Sequence, residues 1–220
     1  MKVWLAFIFL ISFSFHSNCF EIIEDLSLKE DGSGTYKLTI NLSDSKVKFK
    51  TLLTMDSLAG TKVPSEEEIT FQVNQFKEYL TKSESVTNFI IHLDFEELIF
   101  KFNLEFKSID KLQKHIISYS QPNSTTSLFL SPLYTFTSNT LTRKISTTNY
   151  PKDWVSKIAE DDVNLLKESS IVFISRFTKP IISTDPSLIK ISKSGTACMQ
   201  KISIWDVINR PEISNFKIFF

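Results

Sequence analysis

In this 220-residue chain the side chains able to carry chemistry are few and scattered. Past residue 19 there are two histidines, His92 and His115. Neither falls in an HExxH or CxxC-type spacing, the arrangements that gather a metal ion. His92 lies in a strand-like run and His115 in a helical one, so each reads as a structural or solvated side chain. The four glycines, Gly32, Gly34, Gly60 and Gly195, all sit among turn-forming residues. None is left for a Walker loop, a GxGxxG fingerprint or a nucleophile elbow. Acidic pairs occur at Glu24-Asp25, Glu96-Glu97 and Asp161-Asp162. Acid–base hydrolysis needs two carboxylates facing across a cleft, and adjacency in sequence does not supply that geometry. Glu96-Glu97 reads as a solvated hairpin turn and Glu160-Asp161-Asp162 as the wet face of a helix. No catalytic residue, metal ligand or cofactor site is assigned on this basis.

Residues 1–19 read as an export signal. Lys2 supplies the positive start, and Val3–Phe15 is apolar except for Ser12 and Ser14. That run fits a secretory signal and is short for a membrane span, retention as an uncleaved anchor being the alternative. Cys19 stands at the processing point and has two readings. It is a candidate lipidation site, although Phe15-His16-Ser17-Asn18 departs from a good lipobox. Alternatively, ordinary signal peptidase cuts after it, with Ser17 and Cys19 as the small residues at −3 and −1. The expected location is outside the cytoplasm: periplasm-facing, at the surface of the envelope, or secreted.

Lys2 is the only charge in the signal, leaving 24 basic against 25 acidic residues. Such a balance gives no electrostatic pull toward nucleic acid. Two cysteines in a chain of this length make no disulfide framework, and Cys198 reads as a lone packed thiol, a Cys19–Cys198 bond being the alternative only where Cys19 survives processing unmodified. About 200 residues suffice for one sizeable core. We expect a single domain over 20–220, with a sub-division near 121–150 as the alternative.

The elements begin at Phe20. FEIIEDLSLKEDGSGTYKLTINL holds two runs around a tight connector, and Tyr36, Leu38, Ile40 and Leu42 share one face of the second. This is a β-hairpin with Asp31, Gly32 and Gly34 in its turn, both glycines being available for positive φ. Ser43-Asp44-Ser45 offers helix caps for Lys46–Met55, with Val47, Phe49, Leu52 and Leu53 apolar. Residues 56–63 read as a loop. Ser65 and Glu68 form a capping box for a helix carrying Ile69, Val73, Phe76 and Leu80 on one face. A second strand pair follows, in which Phe89, Ile91, Leu93 and Phe95 face one way, as do Phe100, Phe102, Leu104 and Phe106. Ser108 caps a helix with Ile109, Leu112 and Ile116 on one face. After a polar loop at 121–126, residues 128–146 alternate as one or two strands, Pro132 marking an edge or a strand start. Lys152–Glu168 reads as a helix with Trp154, Ile158 and Leu165, and Ile171–Phe177 as a strand. Leu188–Ile191 and Thr196–Ile202 form a last pair, Ser203 caps a short turn, and Phe216, Ile218 and Phe220 alternate to the end.

The run Cys19-Phe20-Glu21-Ile22, then Asp31-Gly32-Ser33-Gly34-Thr35 and a strand, resembles uncharacterised exported proteins of Bacteroidota, as does Ser43 through Pro64-Ser65. More distantly, a cysteine, a strand, a D-G-x-G turn and a strand resemble the LppM-like bacterial lipoproteins, as does the closing Lys193–Phe220. That resemblance implies an α+β lipoprotein domain in contact with lipids or glycolipids, and it carries no catalytic residues to transfer.

The expected fold is α+β: an antiparallel sheet of roughly seven to nine strands with amphipathic helices mainly on one face, parallel βαβ order being disfavoured. The expected function is a non-enzymatic exported or envelope domain that binds an apolar ligand, a lipid surface or a protein partner. Its membrane contact would run only through an anchor at Cys19. The alternatives are a hydrolase with an acidic cleft and an outer-membrane β-barrel. The Phe-rich sheet face reads as core, the other reading being the lining of an apolar cavity.

Overall fold

A computed structural model of the chain describes residues 20–58, 61–120, 132–145, 160–187 and 189–220. The signal segment, Cys19, Gly60, the polar loop at 121–126, Trp154 and Ile158 lie outside the described residues.

The alternating runs become strands in the expected phase. β1 (Glu21–Leu28) and β2 (Gly34–Asn41) form the first hairpin; β5 (Val86–Asp94) and β6 (Ile99–Phe106) form another. β9 (Ser170–Phe177), β11 (Lys190–Ile191) and β12 (Ala197–Ser203) complete a seven-stranded sheet in the order β11-β12-β9-β1-β2-β6-β5. A second sheet has the order β10-β13-β8-β7, built from β7 (Pro132–Phe136), β8 (Thr140–Ile145), β10 (Ser183–Asp185) and β13 (Phe216–Phe219). β7 is an edge and Pro132 is its first residue, where a missing N–H costs least.

One face of the large sheet is apolar, because period-two alternation sends Leu26, Leu28, Leu104, Phe106, Phe89, Phe173 and Phe177 to the same side. Two kinds of cover meet it. Over β5 lies α2 (Glu66–Thr81), which presents Phe76, Tyr79 and Leu80; beside it is α3 (Ile109–Ser120), which presents Ile109, Leu112 and Ile116. The Ser65–Glu68 capping box is formed, and Ser108 Oγ accepts from Lys111 N at 3.4 Å. Opposite Phe173 and Phe177 lie Phe216 and Phe220, their rings 6.4 and 4.3 Å away. Phe89, Phe102 and Phe106 of the aromatic face thus belong to the core, whereas Phe95 and Phe100 are half-buried outside it. The opposite face carries Lys37, Lys101, Glu105, His92 and Arg176, all exposed.

The α+β class with a largely antiparallel sheet is as expected, and several details differ. β1 and β9 pair in parallel, with Glu21 beside Ser170 and Leu28 beside Phe177. That one parallel pair joins segments about 150 residues apart, a contact that local alternation does not encode. Strands number thirteen among the described residues because short ones were unreadable. Residues 56–63 are not all loop: β3 (Ser57–Leu58) pairs with β4 (Thr61–Lys62). Phe95 falls beyond the end of β5, in a turn held by Leu98 at φ 55. The helix after the first hairpin, α1 (Lys46–Leu53), ends two residues early, and Ser45 does not cap it with its side chain. Instead Asn41 Oδ1 takes the Ser43 N–H and hydroxyl at 3.1 and 2.7 Å. Of Lys152–Glu168, the described part is helical as α4 (Glu160–Glu168). Ser203 caps α5 (Ile204–Asn209) as expected, accepting from Asp206 N at 3.0 Å.

Candidate functional site

The hairpin turn uses Asp31, Gly32 and Gly34 for three different purposes. Lys29 N donates to Ser33 O at 2.8 Å and Gly32 N to Lys29 O at 3.0 Å, closing the turn. Asp31 Oδ1 accepts from the Ser33 hydroxyl and N–H at 2.6 and 2.9 Å, and these bonds hold its carboxyl below the usual range. Gly32 has φ +77, and its carbonyl receives Ile109 N at 3.0 Å, tying the turn to the start of α3. Gly34 does not take positive φ, contrary to expectation. It is the first residue of β2, where a Cβ would stand 2.0 Å from the Ser27 carbonyl oxygen. Its need is close backbone approach rather than left-handed geometry.

Beside the turn an open cleft of about 660 Å³ runs across the ends of the strands. Ser27, Thr35, Glu105, Lys107 and Arg176 line it, with Lys29 and Asp31 at the turn. Arg176 is held by Asp25 through a forked contact of 3.0, 3.1 and 2.9 Å. The cleft therefore brings Asp31 and Glu105 into one depression, though among more cations than anions.

The second grouping is buried between the two sheets. Glu24 projects from β1 in phase with Leu26 and Leu28, and is 5% exposed. Tyr134 from β7 donates its hydroxyl to Glu24 Oε1, and Arg143 from β8 brings Nε to 3.9 Å from the same oxygen. Half-buried Tyr36 on β2 faces the same carboxylate. Burial, then the charge of Glu24, pushes both phenols well above the ordinary tyrosine value. The Arg143 guanidinium lies 4.0 Å over the Phe173 ring and donates Nη1–H to Ser214 O at 2.8 Å. Gln200 Nε2, from β12, donates to the neighbouring carbonyl of Ile213 at 3.0 Å. Both sheets thus grasp one short turn, Pro211–Ser214. Tyr134 is itself placed by α3, because the Gln113 side chain bonds both its N–H and its C=O. This network is a structural clasp of paired charge and hydrogen bonds, with its ionisable groups turned away from solvent.

The remaining candidates lie apart. His92 is exposed on the edge strand β5. His115 stacks on Tyr79 at 4.3 Å, with Nε2 3.1 Å from the Tyr79 carbonyl. Glu97 pairs with Lys46 at 2.8 Å in an exposed turn, and Asp162 pairs with Lys48. Cys198 is a buried free thiol, pushed up to about 11 by burial. Among the described residues no three His, Cys, Asp or Glu side chains converge as a metal site would require, and no helix is long and apolar enough to cross a membrane. The sequence placed Tyr36 on the apolar face of its strand but did not single out Tyr36, Tyr134 or Arg143 as partners of Glu24. Its one available signal was phase: Glu24 and Arg143 occupy positions that alternate with core residues.

No protein-family model and no curated protein matches the chain. Among solved structures, the NMR structure of the folded domain of the Mycobacterium tuberculosis LppM protein is similar, with a TM-score of 0.45 and 10% identity over 93% of this chain and 91% of that one.

Proposed function

We propose that the protein is a non-enzymatic exported domain, held at the cell envelope, that works by surface contact with lipid or with a protein partner. The observation that supports this reading is where its reactive groups are spent. Tyr134 bonds Glu24 in the interior with Arg143 beside them as counter-charge, Cys198 is buried with its thiol pushed up, and His115 is stacked and bonded on Tyr79. The packing of Phe89, Phe102 and Phe106 into the core favours binding at the exterior. The strands described form open sheets ending at β11 and β5, which is unlike the closed ring of an outer-membrane barrel.

A hydrolase reading draws on Asp31 and Glu105 sharing the cleft. Asp31 is fixed in its turn by Ser33 and held ionised, so it is poorly suited to act as an acid. Fractionation of cells producing the full chain tests the envelope reading. The protein is expected in the envelope fraction, and a diacylglycerol-sized mass addition at Cys19 would identify the anchor. A wholly cytosolic protein would overturn the reading. So would a hydrolytic activity abolished by Glu105→Gln in a variant that keeps its fold.

A further inference from the structure

The first described residue is fixed in place. Phe20 N donates to Ser169 Oγ at 3.0 Å, and Ser170 N donates to Phe20 O at 3.1 Å. The Phe20 ring stands edge-on to Phe49 of α1, 5.6 Å between centroids. One peptide separates Phe20 from Cys19, about 3.8 Å between Cα atoms. Whatever holds the chain through residues 1–19 therefore leaves the fold beside α1.

α1, like α5, has no buried residue. Its first turn is tied to the body by Lys46 to Glu97 and by Lys48 to Asp162. Outward it presents Val47, Lys50, Thr51 and Thr54, which share one face at helical spacing, followed by Met55. Val47 is 84% exposed and Met55 41%. A helix of eight residues is marginal in water, and one that turns an aliphatic residue outward gains from a surface to lie on.

We propose that this end of the molecule is its membrane-facing surface, with Val47, Met55 and the aliphatic stem of Lys50 resting in the headgroup region beside the anchor. The occupant follows from position: the anchored segment brings the bilayer to this end first. Lys50 can lay its methylenes on the apolar zone while its ammonium reaches the phosphates. Asp44 and Asp56 flank the patch, both exposed, and keep the contact shallow. The inference rests on the envelope-anchored form of the proposed function.

The opposite end supplies an internal control. β9 runs parallel to β1, and past its end Ile181 N bonds Gly195 O at 2.7 Å. There Ile182 is 78% exposed, as accessible as Val47 but remote from Phe20. The experiment is labelling by a bulky water-soluble maleimide of full-chain Val47→Cys and Ile182→Cys in isolated envelope membranes and again after detergent solubilisation. The unsubstituted chain serves as the blank for Cys19 and for buried Cys198. Val47→Cys is expected to react several-fold more slowly than Ile182→Cys in membranes, and at a similar rate in detergent. Equal rates in membranes, with the protein retained there, would overturn the membrane-facing assignment and leave envelope association standing. Absence of the protein from the membrane fraction would overturn both.

Discussion

Glu24 illustrates how one side chain can bind a fold together at a cost. A carboxylate in phase with Leu26 and Leu28 is expensive to bury, and it is tolerated because Tyr134 and Arg143 meet it from the other sheet. Removing one partner is worse than lacking both. Glu24→Gln is expected to destabilise by about 3–5 kcal/mol, because Arg143 stays buried without its counter-charge. Adding Arg143→Met to it should cost less than the sum of the single changes, as double-mutant unfolding would show. The hairpin glycines permit a second comparison. Gly32→Ala should cost about 1–2 kcal/mol, the strain of a left-handed backbone. Gly34→Ala should cost at least about 3 kcal/mol, since its Cβ meets backbone that cannot swing aside. Denaturant midpoints giving the reverse order would contradict the close-approach account.

At the scale of elements, the sheet is two-faced, and its phase is testable on a single strand. In β6, Leu104 is 3% exposed against α2 and α3, whereas Lys101 projects into solvent. Leu104→Ala should lower stability by about 2–5 kcal/mol. Lys101→Ala should change it by less than about 0.5 kcal/mol. Comparable effects in urea unfolding would mean that the strand is read one residue out of register. Helices α2 and α3 derive their hold from the same face. Phe76 meets Phe89 edge-on at 6.2 Å, and Tyr119 packs between Phe76 and Tyr79 at 5.1 and 4.9 Å. Such ring pairs add about 0.5–1.5 kcal/mol each beyond the area they bury.

For the whole molecule, the clasp between the sheets predicts how stability responds to alkali. Tyr36 and Tyr134 hold their protons in the folded state more tightly than in the unfolded chain. Their contribution is therefore complete below the ordinary tyrosine value of about 10 and is lost as pH rises beyond it, because only the unfolded state releases those protons. Unfolding free energy measured between about pH 9 and pH 11 should fall, and Tyr134→Phe should flatten the fall. A wild-type profile that stays level there would show that Tyr134 is not sealed between the sheets.

Much of this architecture was legible locally. Alternation placed Tyr36, Leu38 and Ile40 on one face and Lys37 and Thr39 on the other, and Ser65 with Glu68 marked the start of α2 to the residue. Periodicity and capping are properties of neighbours along the chain, so they survive without tertiary context. Long-range pairing decided the rest. β1 lies parallel to β9, β7 and β8 join β10 and β13 in a second sheet over Phe173 and Phe177, and those two events bring Glu24, Tyr36, Tyr134 and Arg143 together. Local alternation settled which side of each longer strand would be dry. What covers that side is set by long-range packing, because covering layers are chosen by shape and charge matching between segments far apart in the chain.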